Sequence, residues 1–559
     1  MKQIKLLTLL AALVCAGSMW AQAFDPYTTP LTVEAKVTKV AIYVDNWAPN
    51  PIYYSINGGA LQTIAGRNGN TVTQHEIYID NVGDKVEFWS DNNTHEFNDA
   101  GTNIFIPFVN PNNNPHKSRY DLYHYSWSAN HDEDEAYYGV PVAYVYGNVM
   151  SLLSKDNFAT MTELPFDPVY HSYTGHFKSL FAGMGGTEDL NCIDLSSTKD
   201  LVLPATTVGY MSYTSMFEYS TISRAPILPS AAVDIACYTG MFYACRQLMS
   251  ITCFAIRPFH YTAPGESLEY DYTNDWTSWV SSSGGVFTGT READWESRDN
   301  GQDAGHGDGI PTYWTTFNEI DVLTEDAASA YAYDNDFWTN RPNIPLYVLR
   351  TLYKDGAFNT ICLPFDVTDI ASSPLAGAEV FAFSHAEVEE EAGEKQLRQV
   401  ISPVSSIQAG VPYLIRWANT GEVLRILQFP NNTAITATTA STVGTDVQFI
   451  GFFTPTHIDD DANHSRLFLG ENNTLYWPEA NDETSMKGFR AYFNVPTSGG
   501  SGAPMRRGMP AKLVIRENAP TGVESIQDSE VSSQKVLRDG QLIIIRNGVE
   551  YNANGSIIK

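Results

Sequence analysis

A phrase that occurs twice constrains this chain more than anything else in it. Leu203-Pro204 and Val208 lead to Tyr213-Thr214 and Met216-Phe217; Leu228-Pro229 and Val233 lead to Tyr238-Thr239 and Met241-Phe242. All seven identities are displaced by 25 positions, with no gap. A fixed period of roughly 20–50 residues marks a stack in which one unit cannot bury its apolar face without neighbours. A looser, earlier copy reads Leu164-Pro165, then Phe177 to Phe181. The spacing predicts that Leu180/Phe181, Met216/Phe217 and Met241/Phe242 pile up along one core.

At 559 residues the chain is too long for a single core. With 31 Tyr, 12% aromatic and 18% charged residues, its composition is that of a folded, β-leaning protein. Lys2 and Lys5 precede the apolar run Leu6 to Ala16, and Ala21-Gln22-Ala23 fits a small-residue cleavage site, so residues 1–23 read as a secretory signal peptide. Cys15 offers a lipoprotein site, but Val14 before it is too bulky for that processing. No later apolar run approaches the ~18 residues a membrane helix needs. Cleavage removes two lysines and takes the net charge from −30 to −32, a field that repels nucleic acid and anionic lipid.

Five cysteines then remain: Cys192, Cys237, Cys245, Cys253 and Cys362. An odd number without a CxxC pair argues against a zinc site and against a full disulfide framework. Small buried hydrophobes are the simpler reading, with a Cys237–Cys245 or Cys245–Cys253 bridge as the alternative.

Along the chain, residues 24–144 alternate in polarity between turn clusters, as in Leu31 to Ala35, Lys39 to Tyr43, His75 to Ile79 and Lys85 to Trp89. That spacing predicts a small antiparallel sandwich. Asn110 to Asn114 and the acidic His131 to Glu135 read as exposed loops. The repeat region occupies 145–316. Residues 317–345 read as a connector whose acidic, Ala-rich piece Glu325 to Ala332 would form a short helix. A second sandwich-like domain is expected over 346–518, with the charge run Glu387 to Glu394 at a hairpin tip, and a linker and terminal hairpin over 519–559. The fold class is therefore mainly β: two sandwich-like domains flanking a short, irregular solenoid.

The words YGNVMSLL, LVLPATT, YTSMF, APILP and YTGMFYAC, starting at Tyr146, resemble the degenerate leucine-rich repeats of BspA-like surface proteins of Bacteroidetes. The similarity spans roughly Val145 to Thr316, although only two clean repeats are present where such proteins carry longer arrays. Since a solenoid needs about three units to be stable, the flanking β modules are expected to cap it. Phrases of the second sandwich, such as Gly356 to Phe365 and Lys487 to Phe493, resemble a C-terminal β module of secreted Bacteroidetes proteins. The last piece, Lys535 to Tyr551 with its Asn547-Gly548 turn, resembles the tail carried by type IX secretion cargo. A last hairpin docked on the preceding domain is the competing reading.

Catalytic text is sparse. His75-Glu76 and His95-Glu96 lack the second histidine of a metalloprotease helix, and no phosphate-cradling loop or dinucleotide fingerprint appears. Ser498 to Gly502 reads as a flexible loop, not a nucleophile elbow. Asp299 to Asp308 and Asp459 to Asp461 gather carboxylates, but Ile310 stands where a calcium loop would need its closing Glu. No cofactor is expected. The candidate ligand contacts are the aromatics Trp276, Trp279, Trp295 and Trp314, with Tyr270, Tyr272 and Tyr313, whose rings suit a sugar face or a protein interface.

Together these features predict a secreted or outer-surface protein without catalysis, recognising a host, matrix or bacterial surface protein or glycan. The resemblance implies adhesion. The alternative is a secreted polysaccharide-acting or glycan-binding β-sandwich protein.

Overall fold

Alternating polarity becomes strands wherever one face can be buried, and the chain is mainly β. The computed structural model describes residues 24–69, 71–92, 103–109, 141–162, 164, 176–182, 193–195, 199–208, 212–233, 237–238, 240–243, 245, 247–256, 284–291, 310, 314, 316–326, 338, 340–391, 394–437, 439–445, 447–457, 466–470, 473–476, 485–495, 511–512, 514–517, 533–538, 541–546 and 549–552. The leader, the two exposed-loop candidates, residues 327–332 of the Ala-rich piece and Ser498 to Gly502 lie outside those residues.

The N-terminal part holds two sheets. Leu31–Ala35 lies between Lys85–Ser90 and Ala143–Asn148, antiparallel to both, while Val40–Asn46 lies between Thr73–Ile79 and Asn103–Val109. Phe88 of the first sheet meets Phe105 of the second edge-to-face, ring centres 4.8 Å apart. Phe105 in turn touches Phe181, so the apolar cluster of this pair of sheets runs without a break into the repeats. The sheets close the open end of the stack, as a cap must.

Gly147 marks that junction. Its φ is +90°, and a Cβ there would stand 2.1 Å from the Pro30 carbonyl oxygen, while its N–H donates to the Asp200 carbonyl of the first rung. Gly147→Ala is expected to lower stability by at least the ~1–3 kcal/mol of the backbone strain alone. A thermal melt of the variant matching the wild type would contradict this account of the junction.

Within the repeats the 25-residue period appears directly as parallel pairing. Thr207 pairs with Ala232 and Val208 with Val233; Leu228 bridges to Cys253. Ser230 Oγ donates to the Ala205 carbonyl one period back. On the opposite side of each rung, tight turns are tied layer to layer: Phe181 N–H donates to the Met216 carbonyl, and Phe217 N–H to the Met241 carbonyl. Phe181, Phe217 and Phe242 stack with centres 5.5 and 5.8 Å apart and planes within 17° and 6°. Phe177, Tyr213 and Tyr238 form a second column at 5.7 and 5.9 Å. Met216 and Met241 are both fully buried in the same cluster.

The stack does not end where the repeat words end. Ser250–Cys253, Val286–Thr290, Thr316–Thr324 and Leu346–Tyr353 run parallel as successive rungs. Thr316–Thr324 is therefore a ladder strand paired on both edges, and the connector expected from Phe317 onward is corrected to that extent. The physical reason is that its unpaired backbone groups find partners on the last repeat and on the next domain. Leu346–Tyr353 is then covered antiparallel by Val423–Phe429, which turns the solenoid into the C-terminal domain.

That domain has two five- and six-stranded sheets meeting over a phenylalanine core, with Phe449 and Phe493 stacked at 4.4 Å and Phe383 within 5.7 Å of each. Glu379–Glu391 and Glu394–Val404 form its long hairpin, and the charge run surrounds the tip. The terminal piece is a three-stranded meander of Ser533–Arg538, Gln541–Arg546 and Val549–Asn552, one strand more than the expected hairpin. Among the described residues none of its strands pairs with another sheet.

Candidate recognition face

A parallel ladder displays every second side chain to solvent, and here the register lines them up rung over rung. Ile251, Cys253 and Phe287 point into the core and are at most 1% exposed. The alternate positions form two outward rows: Ser250, Val286 and Thr316, then Thr252, Thr288 and Asn318. Ile227 continues the outward side toward the repeats, because the residue after it, Leu228, bridges to buried Cys253 and its N–H donates to the Thr252 carbonyl. On that outward side Ile227 and Val286 are 41% and 37% exposed, set among small hydroxyl side chains, whereas Phe317, 36% exposed, follows Phe287 in the inward row with its ring centre 6.1 Å from that of Phe287.

The opposite end of the ladder is charged and internally paired. Lys199 sits 2.5 Å from Glu34 Oε2 and 4.6 Å above the Tyr146 ring, whose hydroxyl donates to the same carboxylate at 2.8 Å. Burial alone would raise the Glu34 carboxyl; the Lys199 ammonium and the Tyr146 hydroxyl outweigh it and hold the group below its ordinary range. Lys36 pairs with Asp194 and lies over Tyr144, and Arg224 reaches Asp200 at 2.5 Å. These charges satisfy one another, so the apolar end is the part of the face suited to bind.

Of the four candidate tryptophans, Trp276, Trp279 and Trp295 lie outside the described residues, as do Tyr270, Tyr272, Tyr313 and the two carboxylate-rich loops. Trp314 is 5% exposed and joins the core of the repeats. It lies against Gly285, where a Cβ would come within 2.5 Å of its ring, so the bare glycine backbone makes room for the indole. Trp314 is thus corrected from ligand contact to packing residue. His75 stands beside the Tyr54 hydroxyl at 3.3 Å, with burial lowering its pKa. Among the described residues no group of three or more His, Cys, Asp and Glu is placed to hold a metal ion, and no helix is long and apolar enough to cross a membrane.

Cys237, Cys245, Cys253 and Cys362 are buried free thiols, the small-hydrophobe reading; Cys192 lies outside the described residues. Burial pushes Cys253 and Cys362 up to about 12, which leaves them as inert neutral thiols.

Neither a protein-family model, nor a curated protein, nor a solved structure matches the chain. The exposed residues of the face were not singled out from sequence. Ile227 lies inside the word APILP, where nothing local marks it off from buried Leu228, and Val286 joins it only because a later segment returns to the same ladder.

Proposed function

We propose that this chain is a secreted or cell-surface recognition protein, without catalysis, that binds a host, matrix or bacterial surface partner through the ladder face of its repeat stack. The observation that carries the reading is the outward side of a rigid parallel sheet on which Ile227 and Val286 stand exposed beside the rows of Ser250, Thr252, Thr288 and Thr316. Large apolar side chains exposed together on a fixed frame mark contact surfaces more often than chance exposure. The leader in the sequence supports export, and the strongly acidic exterior argues against nucleic acid.

The test is binding of residues 24–559 to immobilised mucin, fibronectin and collagen, with Ile227→Glu/Val286→Glu alongside. Both residues are partly exposed, so the variant is expected to fold, and a charge on the patch should weaken binding at least about tenfold. Failure of all three ligands to bind, or equal binding by the variant, would refute the proposal.

A further inference from the structure

The sheet that closes the C-terminal core has a second face whose chemistry the recognition reading does not use. Phe449, Leu467, Leu475 and Phe493 point inward and are fully buried. Alternation therefore places Ile450, Tyr492, Phe468 and Tyr476 on the outer side of four adjacent strands. Ile450 pairs across from Tyr492, and Phe468 across from Tyr476; Arg466 and Leu467 pair with Asn494 and Phe493, which sets Phe468 next to Tyr492. None of these four side chains joins a hydrophobic cluster of the domain.

The row spans about 14 Å at the ordinary spacing between strands. Phe468 and Tyr476 lie with ring centres 5.8 Å apart and planes within 25°, and Tyr476 is 42% exposed. Tyr476 keeps that pose because Gly470 lies under it: a Cβ there would be 2.4 Å from the ring. One step along the same strands runs a polar row, in which Asn494 donates to Gln448 at 3.0 Å and Arg466 pairs with Asn494 across the ladder.

The geometry points to a glycan-binding platform on this outer face. The exposed aromatic surface of Tyr476, braced by the nearly parallel Phe468 ring, can bury the C–H face of a sugar ring, while the neighbouring amide and guanidinium groups take up its hydroxyls. A protein partner would be served by the apolar row alone; the adjoining line of Gln448, Asn494 and Arg466 fits a ligand that is apolar on its faces and hydroxylated at its edges. The site is separate from the ladder face of the repeats, so either can fail alone.

Calorimetric titration of residues 24–559 with soluble hexasaccharides of β-1,4-glucose, β-1,4-mannose and α-1,4-galacturonic acid tests it. At least one is expected to bind, and Tyr476→Ala should weaken that binding at least about tenfold. Gly470→Ala should do the same although it removes no contact group, because it displaces the Tyr476 ring. Asn494→Ala, at a half-buried surface position, gives a second reading should either variant fold poorly. Leu61→Glu, at a 51% exposed position belonging to neither face, should leave the affinity unchanged. Preference for the uronic acid would assign Arg466 the carboxylate; preference for a neutral chain would assign it hydroxyls. No binding by any of the three at millimolar concentration, or undiminished binding by Tyr476→Ala, would overturn the inference.

Discussion

Replacing Phe217 by alanine is expected to destabilise the repeat region by about 3–5 kcal/mol. Phe217 is fully buried, with Phe181 on one side of its ring and Phe242 on the other. Its backbone N–H is already committed to the Met241 carbonyl, so the layers cannot close onto the space left behind without breaking that tie. The same substitution at Phe317, which is 36% exposed and meets only Phe287 among the described aromatic rings, should cost markedly less. Urea unfolding followed by circular dichroism checks both. A loss at Phe217 no larger than the one at Phe317 would show that the column is not the spine of the stack.

An effect of the same size is expected where the stack enters the C-terminal domain. Glu325, 3% exposed, accepts from Arg350 at 3.0 Å, from Arg490 at 2.8 Å and from the Thr351 N–H at 3.1 Å, and the Arg350 side chain is fully buried. Glu325→Gln should cost about 3–5 kcal/mol, because it strands a buried guanidinium without its counter-charge. Replacing Glu325 and Arg350 together by methionine should cost less than the single change, since the fully buried guanidinium then goes with its carboxylate and the cation left behind, Arg490, is 24% exposed.

Burial by itself would raise the Glu325 carboxyl, but Arg350, Arg490 and Lys487 outweigh it and hold the group below its ordinary 4.5. A carboxyl whose folded value is depressed contributes its stability in full above the unfolded value and loses it as the pH falls through the folded one. Wild-type stability should therefore decline below about pH 4.5 more steeply than that of Glu325→Gln. Parallel acid profiles for the two proteins would sink this assignment.

The two halves of this junction show how the sequence was partly readable. Glu325 and Arg350 are 25 positions apart, the same period as the repeat words, because they sit on neighbouring rungs. The period was visible between Leu203 and Phe242, where both copies keep their apolar words. It was hidden afterwards, where inserted segments lengthen the rungs between Ser250, Val286 and Thr316 and the words change. Trp314 illustrates the complementary failure. Nothing near it in the chain announces that Gly285 of an earlier rung leaves the space for its ring, so a buried tryptophan looked like a surface one.

Local patterning determined what depends on local physics: alternation made strands, the 25-residue echo made stacked phenylalanines, and the cysteines of the repeats became buried small side chains. Tertiary pairing alone decided which outward residues share a surface. Ile227 and Val286 share the outward side of one ladder, and Tyr492, Phe468 and Tyr476 one side of a sheet, because backbone hydrogen bonds between distant segments fix their register. Strand character is a property of a few neighbouring residues, whereas a shared face requires several remote segments to find the same partners, and no short stretch of sequence carries that information.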